Sequence, residues 1–167
     1  MDLTIFRFIH AFAHYSKVLD RLGIFVAKYL QYALAGFLLA LLFSQWQVYQ
    51  PLLFEALLAG LFSRFVIKFI ITLFVQRPRP FVALSSAKKL ITTWSFEDQL
   101  SFPSGHALFF FALSTTFFLS DVTLGMVFYF FSTLIAVARV FTGVHWPSDV
   151  LAGAFLGVFG ALIVHVF

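Results

Sequence analysis

Five stretches of this chain are too long and too apolar to be held in water: residues about 22–43, 51–75, 104–120, 122–139 and 147–167. A helix that crosses a bilayer needs about 20 predominantly apolar residues. Inside hydrocarbon a segment must satisfy its own backbone hydrogen bonds, which for runs of this kind means helices. Composition excludes a soluble alternative, because only 11% of residues are charged and 62% are hydrophobic, against roughly 25% charged in a soluble domain. The expected architecture is an all-α, polytopic membrane helix bundle of about five spanning helices, forming a single domain over residues 1–167.

Between these runs the chain is sparse. Residues 2–20 place Leu3, Phe6, Ala13 and their neighbours at helical spacing with charges between them, which predicts a short amphipathic helix at the interface. Trp46 and Tyr49 suit the headgroup region between the first two spans. Residues 76–102 make the one long polar loop, and a long loop in a compact protein is usually functional. Asp121 marks a tight turn, and a short loop at 140–148 leads into the last span. The first 20 residues contain charges and no clean apolar core, so no cleaved signal peptide is expected.

Counting crossings then places the polar residues. Span two delivers the chain to one face, span three leaves it, span four returns to it and span five leaves again. The long loop and the loop near residue 145 therefore share one side of the membrane. Three clusters meet there: Arg77-Pro78-Arg79-Pro80, Pro103-Ser104-Gly105-His106, and Arg139 with His145 and Asp149.

These residue types suit phosphate chemistry. Guanidinium forks match phosphate oxygens bidentately. Ser104 and Gly105 open a helix, whose first N–H groups attract an anion, and glycine allows close approach. A neutral histidine can attack phosphorus, and a carboxylate can orient its ring. His145 and Asp149 are four apart and can touch if that segment is helical. His106 is available to protonate a leaving oxygen. The formal charge of +4, from 11 Lys and Arg against 7 Asp and Glu, points to anionic headgroups or a phosphorylated lipid and not to nucleic acid. The absence of cysteine excludes disulfides, thiolate metal sites and a cysteine nucleophile.

At these residues the sequence resembles the type-2 phosphatidic acid phosphatases, which share their active-site pattern with vanadium haloperoxidases. Their motifs read K-x6-R-P, P-S-G-H and S-R-x5-H-x3-D. This chain carries Arg79-Pro80, an intact Pro103-Ser104-Gly105-His106, and Ala138-Arg139 followed by His145 and Asp149 at the same spacing. The stretches IFRFIHAFAHYSKVLD and ITLFVQRPRPFVAL resemble the bacterial undecaprenyl-diphosphate phosphatases of the bacitracin-resistance type.

The resemblance implies a nucleophile at His145 that forms a phosphohistidine, with Asp149 holding its imidazole. It implies a general acid at His106, and phosphate binding by Arg79, Arg139, Ser104 and Gly105. It implies no metal and no cofactor, a polyprenyl diphosphate substrate among membrane lipids, and no obligate protein partner. The family lysine falls at Thr72, seven before Arg79, leaving Lys68 one turn earlier, or Arg77, to supply that charge. Ala138 replaces a serine and removes one hydroxyl contact.

Several polar residues have plainer readings. Arg77 and Arg79 also suit headgroup anchors, and Asp149 suits a helix cap. Arg64 and Lys68 lie four apart on one face of span two, where charges are functional, paired or exposed to a wet cavity. His10, His14 and His165 read as interfacial or packing residues, Lys88 and Lys89 as solvated, and Glu97 and Asp98 as solvated.

Orientation is contested. Arg7, Lys17, Arg21, Lys88 and Lys89 on the motif face argue for a cytoplasmic site, whereas the resemblance implies the periplasmic or extracellular face of a bacterial inner membrane. The resemblance takes precedence, because residues that bind headgroups distort the count. The expected activity is hydrolysis of undecaprenyl diphosphate to undecaprenyl phosphate. The alternatives are another lipid phosphatase, acting on phosphatidylglycerophosphate, phosphatidic acid or a prenyl diphosphate, and a non-catalytic lipid-phosphate binding or transport protein.

Overall fold

In the computed structural model, residues 1–44, 46–92 and 100–167 are described. Glu97 and Asp98, read above as solvated, lie outside them. Among the described residues there are helices and no strands, with a single bridge between Pro78 and Leu100. The helices are α1 (Asp2–His10), α2 (Lys17–Ile24), α3 (Leu30–Ser44), α4 (Trp46–Leu61), α5 (Lys68–Phe74), α6 (Pro80–Ala83), α7 (Gly105–Ser120), α8 (Val122–Phe141) and α9 (Pro147–Val166). A π-helical turn joins α2 to α3 at Phe25–Tyr29, and a second joins α4 to α5 at Phe62–Ile67.

Among the described residues, four helical stretches are long and apolar enough to cross a bilayer: Lys17–Leu41, Tyr49–Phe74, Val122–Phe141 and Pro147–Val166. The chain is a multi-pass membrane protein. Helix α7, the expected third span, has 16 residues and is about 24 Å long. It runs through the middle of the bundle against α4, α8 and α9 and is buried for most of its length. Its N-terminus, and the motif it carries, are therefore enclosed by neighbouring helices. Outside, Phe43, Phe54, Phe69, Phe74, Phe130 and Phe155 face outward, as a lipid-exposed surface requires.

Two boundaries differ from the sequence expectation. The amphipathic stretch 2–20 is two elements. It is helical over Asp2–His10, turns at 11–16 with His14 at φ 66°, and restarts at Lys17 with the Ser16 hydroxyl accepting from Val18 N. Helix α1 buries Phe6 against Ala87, Val140 and Trp146 while Leu3, Ile5 and Phe8 stay exposed, so it is docked on the bundle. The second span begins before Pro51, which lies inside α4. Proline there, in the second turn, forfeits one backbone hydrogen bond.

Small residues set the packing that builds the site. Helix α9 lies on the backbone of α7 through Gly153 and Gly157: a Cβ at these positions would come 2.7 Å from the Ser104 carbonyl and 2.5 Å from the Leu108 carbonyl. In lipid such close approach is a main source of helix association. Polar groups add to it, with Ser114 and Ser132 hydroxyls 2.9 Å apart between α7 and α8, and Thr115 bonded to Tyr129. Toward the apolar end the core is Phe110, Leu113, Phe117 and Phe128 with Leu34 and Leu53. His165, read as a packing residue, bonds Glu55 at 2.7 Å.

Candidate active site

The segment after α5 cannot continue as helix, because two prolines hold the residues before them extended. Arg79 has φ −69° and ψ 156°. In extended chain residues two apart share a side, so alternation alone does not separate these two arginines, yet their guanidinium groups reach different partners. Arg79 turns inward, buried, and its Nη1 donates to the Val144 carbonyl at 2.8 Å and lies 3.3 Å from His145 Nε2. Arg77 turns the other way, with Nη1 on Asp149 Oδ1 at 2.9 Å, Nη2 on Asp2, and the guanidinium 5.0 Å from the Trp146 ring.

His145 precedes α9 in the loop that follows α8. Gly143 turns that loop at φ 78°, a conformation few other residues accept. The His145 Nδ1–H donates to the Ser101 carbonyl at 2.9 Å, while Asp149 Oδ2 stands 3.6 Å from the same nitrogen. The proton is thus on Nδ1 and the Nε2 lone pair faces Arg79. Burial pushes His145 well below the usual imidazole range, and the charges of Arg79, Arg139 and Lys68 push it further, against a smaller opposing effect of the Ser101 carbonyl. The ring is held neutral by its environment.

Asp149 is fully buried and occupied on several sides. It accepts from Arg77 and from Trp146 N at 2.8 Å, reaching back from the first turn of α9 to the residue before it. The capping role and proximity to His145 therefore coexist. Its carbonyl accepts from Ser104 N at 3.0 Å, which ties the start of α7 to the start of α9. Ser104 Oγ is buried and has no hydrogen-bond partner among the described residues. The Ser101 backbone pairs with Arg77, N to O, at 2.8 Å, so the long loop is fastened to the arginine segment.

Of the remaining sequence-predicted residues, Gly105 and half-buried His106 form the first turn of α7. Arg139 is buried at the end of α8, its Nη1 3.5 Å from the Ala27 carbonyl in the first π-turn. Lys68 reaches the site: its Nζ would be 3.6 Å from a Cβ at Gly105. Thr72, at the family lysine position, bonds back to the Lys68 carbonyl at 2.8 Å and supplies no charge. Arg77 is turned to carboxylates, a different place from the substrate contact anticipated for it.

Three participants were not singled out for the site. Ser101 contributes a backbone carbonyl, which no motif records. Arg64 approaches Gly105, its Nη1 3.7 Å from the same Cβ position, and its i,i+4 spacing to Lys68 was the available signal. Asp2 accepts from Ser148 N at 3.0 Å and Ser148 Oγ at 2.7 Å as well as from Arg77. Partial burial works to raise its carboxyl, but these bonds from Arg77 and Ser148 outweigh that and hold it below the ordinary value. Among the described residues no three His, Cys, Asp or Glu side chains converge as metal ligands.

Comparison with known proteins places the chain in a family. Residues 52–167 match the PAP2 superfamily. The undecaprenyl-diphosphatase BcrC of Bacillus subtilis is 32% identical over 161 residues, covering 95% of this chain and 79% of that protein. The protein named bacitracin transport permease protein BcrC in Bacillus licheniformis is 30% identical over 164 residues, covering 98% and 79%. Among solved structures, Aquifex aeolicus LpxE superposes with a TM-score of 0.77 at 25% identity, over 99% of this chain and 95% of that one. A PAP2-type phosphatidylglycerolphosphate phosphatase from Bacillus subtilis shares the fold, with a TM-score of 0.68 at 20% identity over 99% and 83%. The chain belongs to the PAP2 superfamily.

Proposed function

We propose that this protein is a membrane lipid phosphatase that hydrolyses undecaprenyl diphosphate to undecaprenyl phosphate and inorganic phosphate. The observation that carries the reading is the state of His145: neutral, fixed at Nδ1, with Nε2 beside Arg79. The relative named undecaprenyl-diphosphatase supports the substrate.

In this reading His145 Nε2 bonds to the terminal phosphorus. The bond from phosphorus to the bridging oxygen breaks, its electron pair stays on that oxygen, and His106 supplies the proton. Water then attacks the phosphohistidine and gives a proton to His106, which releases phosphate and restores both rings. Arg79 and Arg139 hold the transferred group and stabilise its charge, with Ser104 Oγ and the N–H groups at the start of α7. Arg77 positions Asp149, and Asp149 supports His145. No step requires a metal, a cofactor or a protein partner.

The polyprenyl tail lies between spans while the diphosphate reaches the polar end of the bundle. The active face is the outer face of a bacterial inner membrane, and residues 1–167 act as one domain, supported by the contacts of Asp2 with Ser148 and Arg77.

Phosphate release from undecaprenyl diphosphate in detergent with EDTA, comparing wild type with His145→Ala, tests the reading. Release that resists EDTA and disappears in the variant is expected. Release from phosphatidylglycerophosphate or phosphatidic acid alone would overturn the substrate. Lipid binding without turnover on any of them would favour transport, the role in the name of the Bacillus licheniformis relative.

A further inference from the structure

The catalytic groups above account for one phosphate, yet the polar end of the bundle holds a second cationic wall. Along the second π-turn and α5 lies a cavity of about 460 Å³, within the range of small-molecule sites. One wall is Arg64, Lys68, Thr72 and Gln76, recurring every four residues from the second π-turn through α5 and just beyond it. The adjoining wall is Phe65, Phe69 and Leu73, which are exposed on the outer surface of the bundle. The cavity therefore has a polar side toward the site and an apolar side toward lipid.

Arg64 is the informative residue. Among the described residues no carboxylate pairs with it. Its guanidinium is half-buried, lies beside Gly105 at the start of α7, and bears electrostatically on His106. A helix N-terminus carries a partial positive charge. Placing a guanidinium against it is unfavourable unless an anion is held beside both. A π-turn, which is uncommon and concentrates at functional sites, holds Arg64 there.

We propose that Arg64, with Lys68, forms a second anion subsite that takes the lipid-attached phosphate of a diphosphate lipid, so that the protein selects lipid diphosphates over lipid monophosphates. This rests on the phosphatase reading above. The terminal phosphate occupies the pocket of Arg79, Arg139 and His145. The inner phosphate sits against Arg64 and Lys68, and the first tail carbons follow Phe65 and Phe69 toward lipid. When the phosphorus–oxygen bond breaks, the electron pair stays on the inner phosphate, beside these cations. The subsite thereby favours both binding and departure of the lipid monophosphate.

The test uses the full chain in detergent with a matched pair, farnesyl diphosphate and farnesyl monophosphate. Arg64→Gln is expected to lower kcat/KM for the diphosphate about tenfold more than for the monophosphate, as loss of one charged hydrogen bond implies. Arg64→Lys is expected to recover part of the preference. Competitive inhibition is an independent readout: Arg64→Gln should weaken inhibition by inorganic pyrophosphate more than by orthophosphate. Equal losses on both lipids with equal changes in both inhibitors would overturn the subsite while leaving the phosphatase reading intact. A wild type inert on both lipids would overturn both. Should Arg64→Gln fail to fold, the Arg64→Lys inhibitor ratio decides, and an unchanged ratio overturns the subsite.

Discussion

The imidazole of His145 is fixed at Nδ1 by the backbone carbonyl of Ser101, 2.9 Å away, from the far end of the long polar loop. In Ser-His-Asp enzymes, exchange of the aspartate for asparagine costs about 10⁴ in kcat because the tautomer is lost. Here a carbonyl that mutation does not remove sets the tautomer. Asp149→Asn is expected to lower kcat by roughly 10- to 100-fold, well short of the triad value, and His145→Ala is expected to abolish turnover. A loss in Asp149→Asn equal to that of His145→Ala, in a variant with unchanged thermal unfolding, would refute the role given to Ser101.

The burial of neutral His145 has a pH signature. Its proton affinity in the folded protein is lowered by burial and by Arg79, Arg139 and Lys68. Below about pH 6.5, the ordinary histidine value, the unfolded chain binds a proton that the folded protein refuses. Stability therefore falls as the pH is lowered from there toward the folded value, and is retained above it. Thermal unfolding in detergent between roughly pH 5 and pH 8 should show wild type losing more Tm on acidification than His145→Gln. Parallel curves for the two proteins would count against a neutral buried ring.

Arg77 joins two carboxylates, Asp2 and Asp149, through different guanidinium nitrogens. A lysine presents one point charge and cannot span both. Arg77→Lys is expected to lower kcat about tenfold or more, on the scale of one charge-assisted hydrogen bond. KM should change little, since Arg77 acts through Asp149. Asp2→Asn should do the same more weakly. A rise in KM with kcat preserved would instead make Arg77 a substrate contact.

Glycine positions separate packing from chain entropy. A Cβ at Gly157 meets the backbone of Leu108, which cannot yield, whereas one at Gly36 meets nothing within 4 Å. Gly157→Ala should destabilise by about 1–3 kcal/mol, and should lower activity because α9 carries Asp149. Gly36→Ala should be neutral or stabilise by roughly 0.4–1 kcal/mol. Thermal unfolding of the two variants side by side checks this, and equal effects would contradict the contact between α7 and α9.

The parts of this protein readable from residues alone are those that local chemistry dictates. Apolar runs demand helices in lipid, and the parity of crossings brings Arg79, Ser104, Gly105, His106, Arg139, His145 and Asp149 to one end. Two prolines hold Arg77 and Arg79 extended and keep that segment out of the preceding helix. Other features depend on which distant segments meet. Asp2 reaches Ser148 across 146 positions, and Ser101 reaches His145 across 44. Nothing near Asp2 distinguishes it from a solvated N-terminal acid, and a backbone carbonyl leaves no trace in a sequence. Arg64 and Lys68 were legible as a pair, but only the packing of the second π-turn against α7 turns them toward Gly105. Hydrophobic periodicity acts over a few residues and specifies helices and their order. The approach of α9 to α7 at glycine distance, and the loop carbonyl it places under His145, are decided by the three-dimensional packing of the whole bundle.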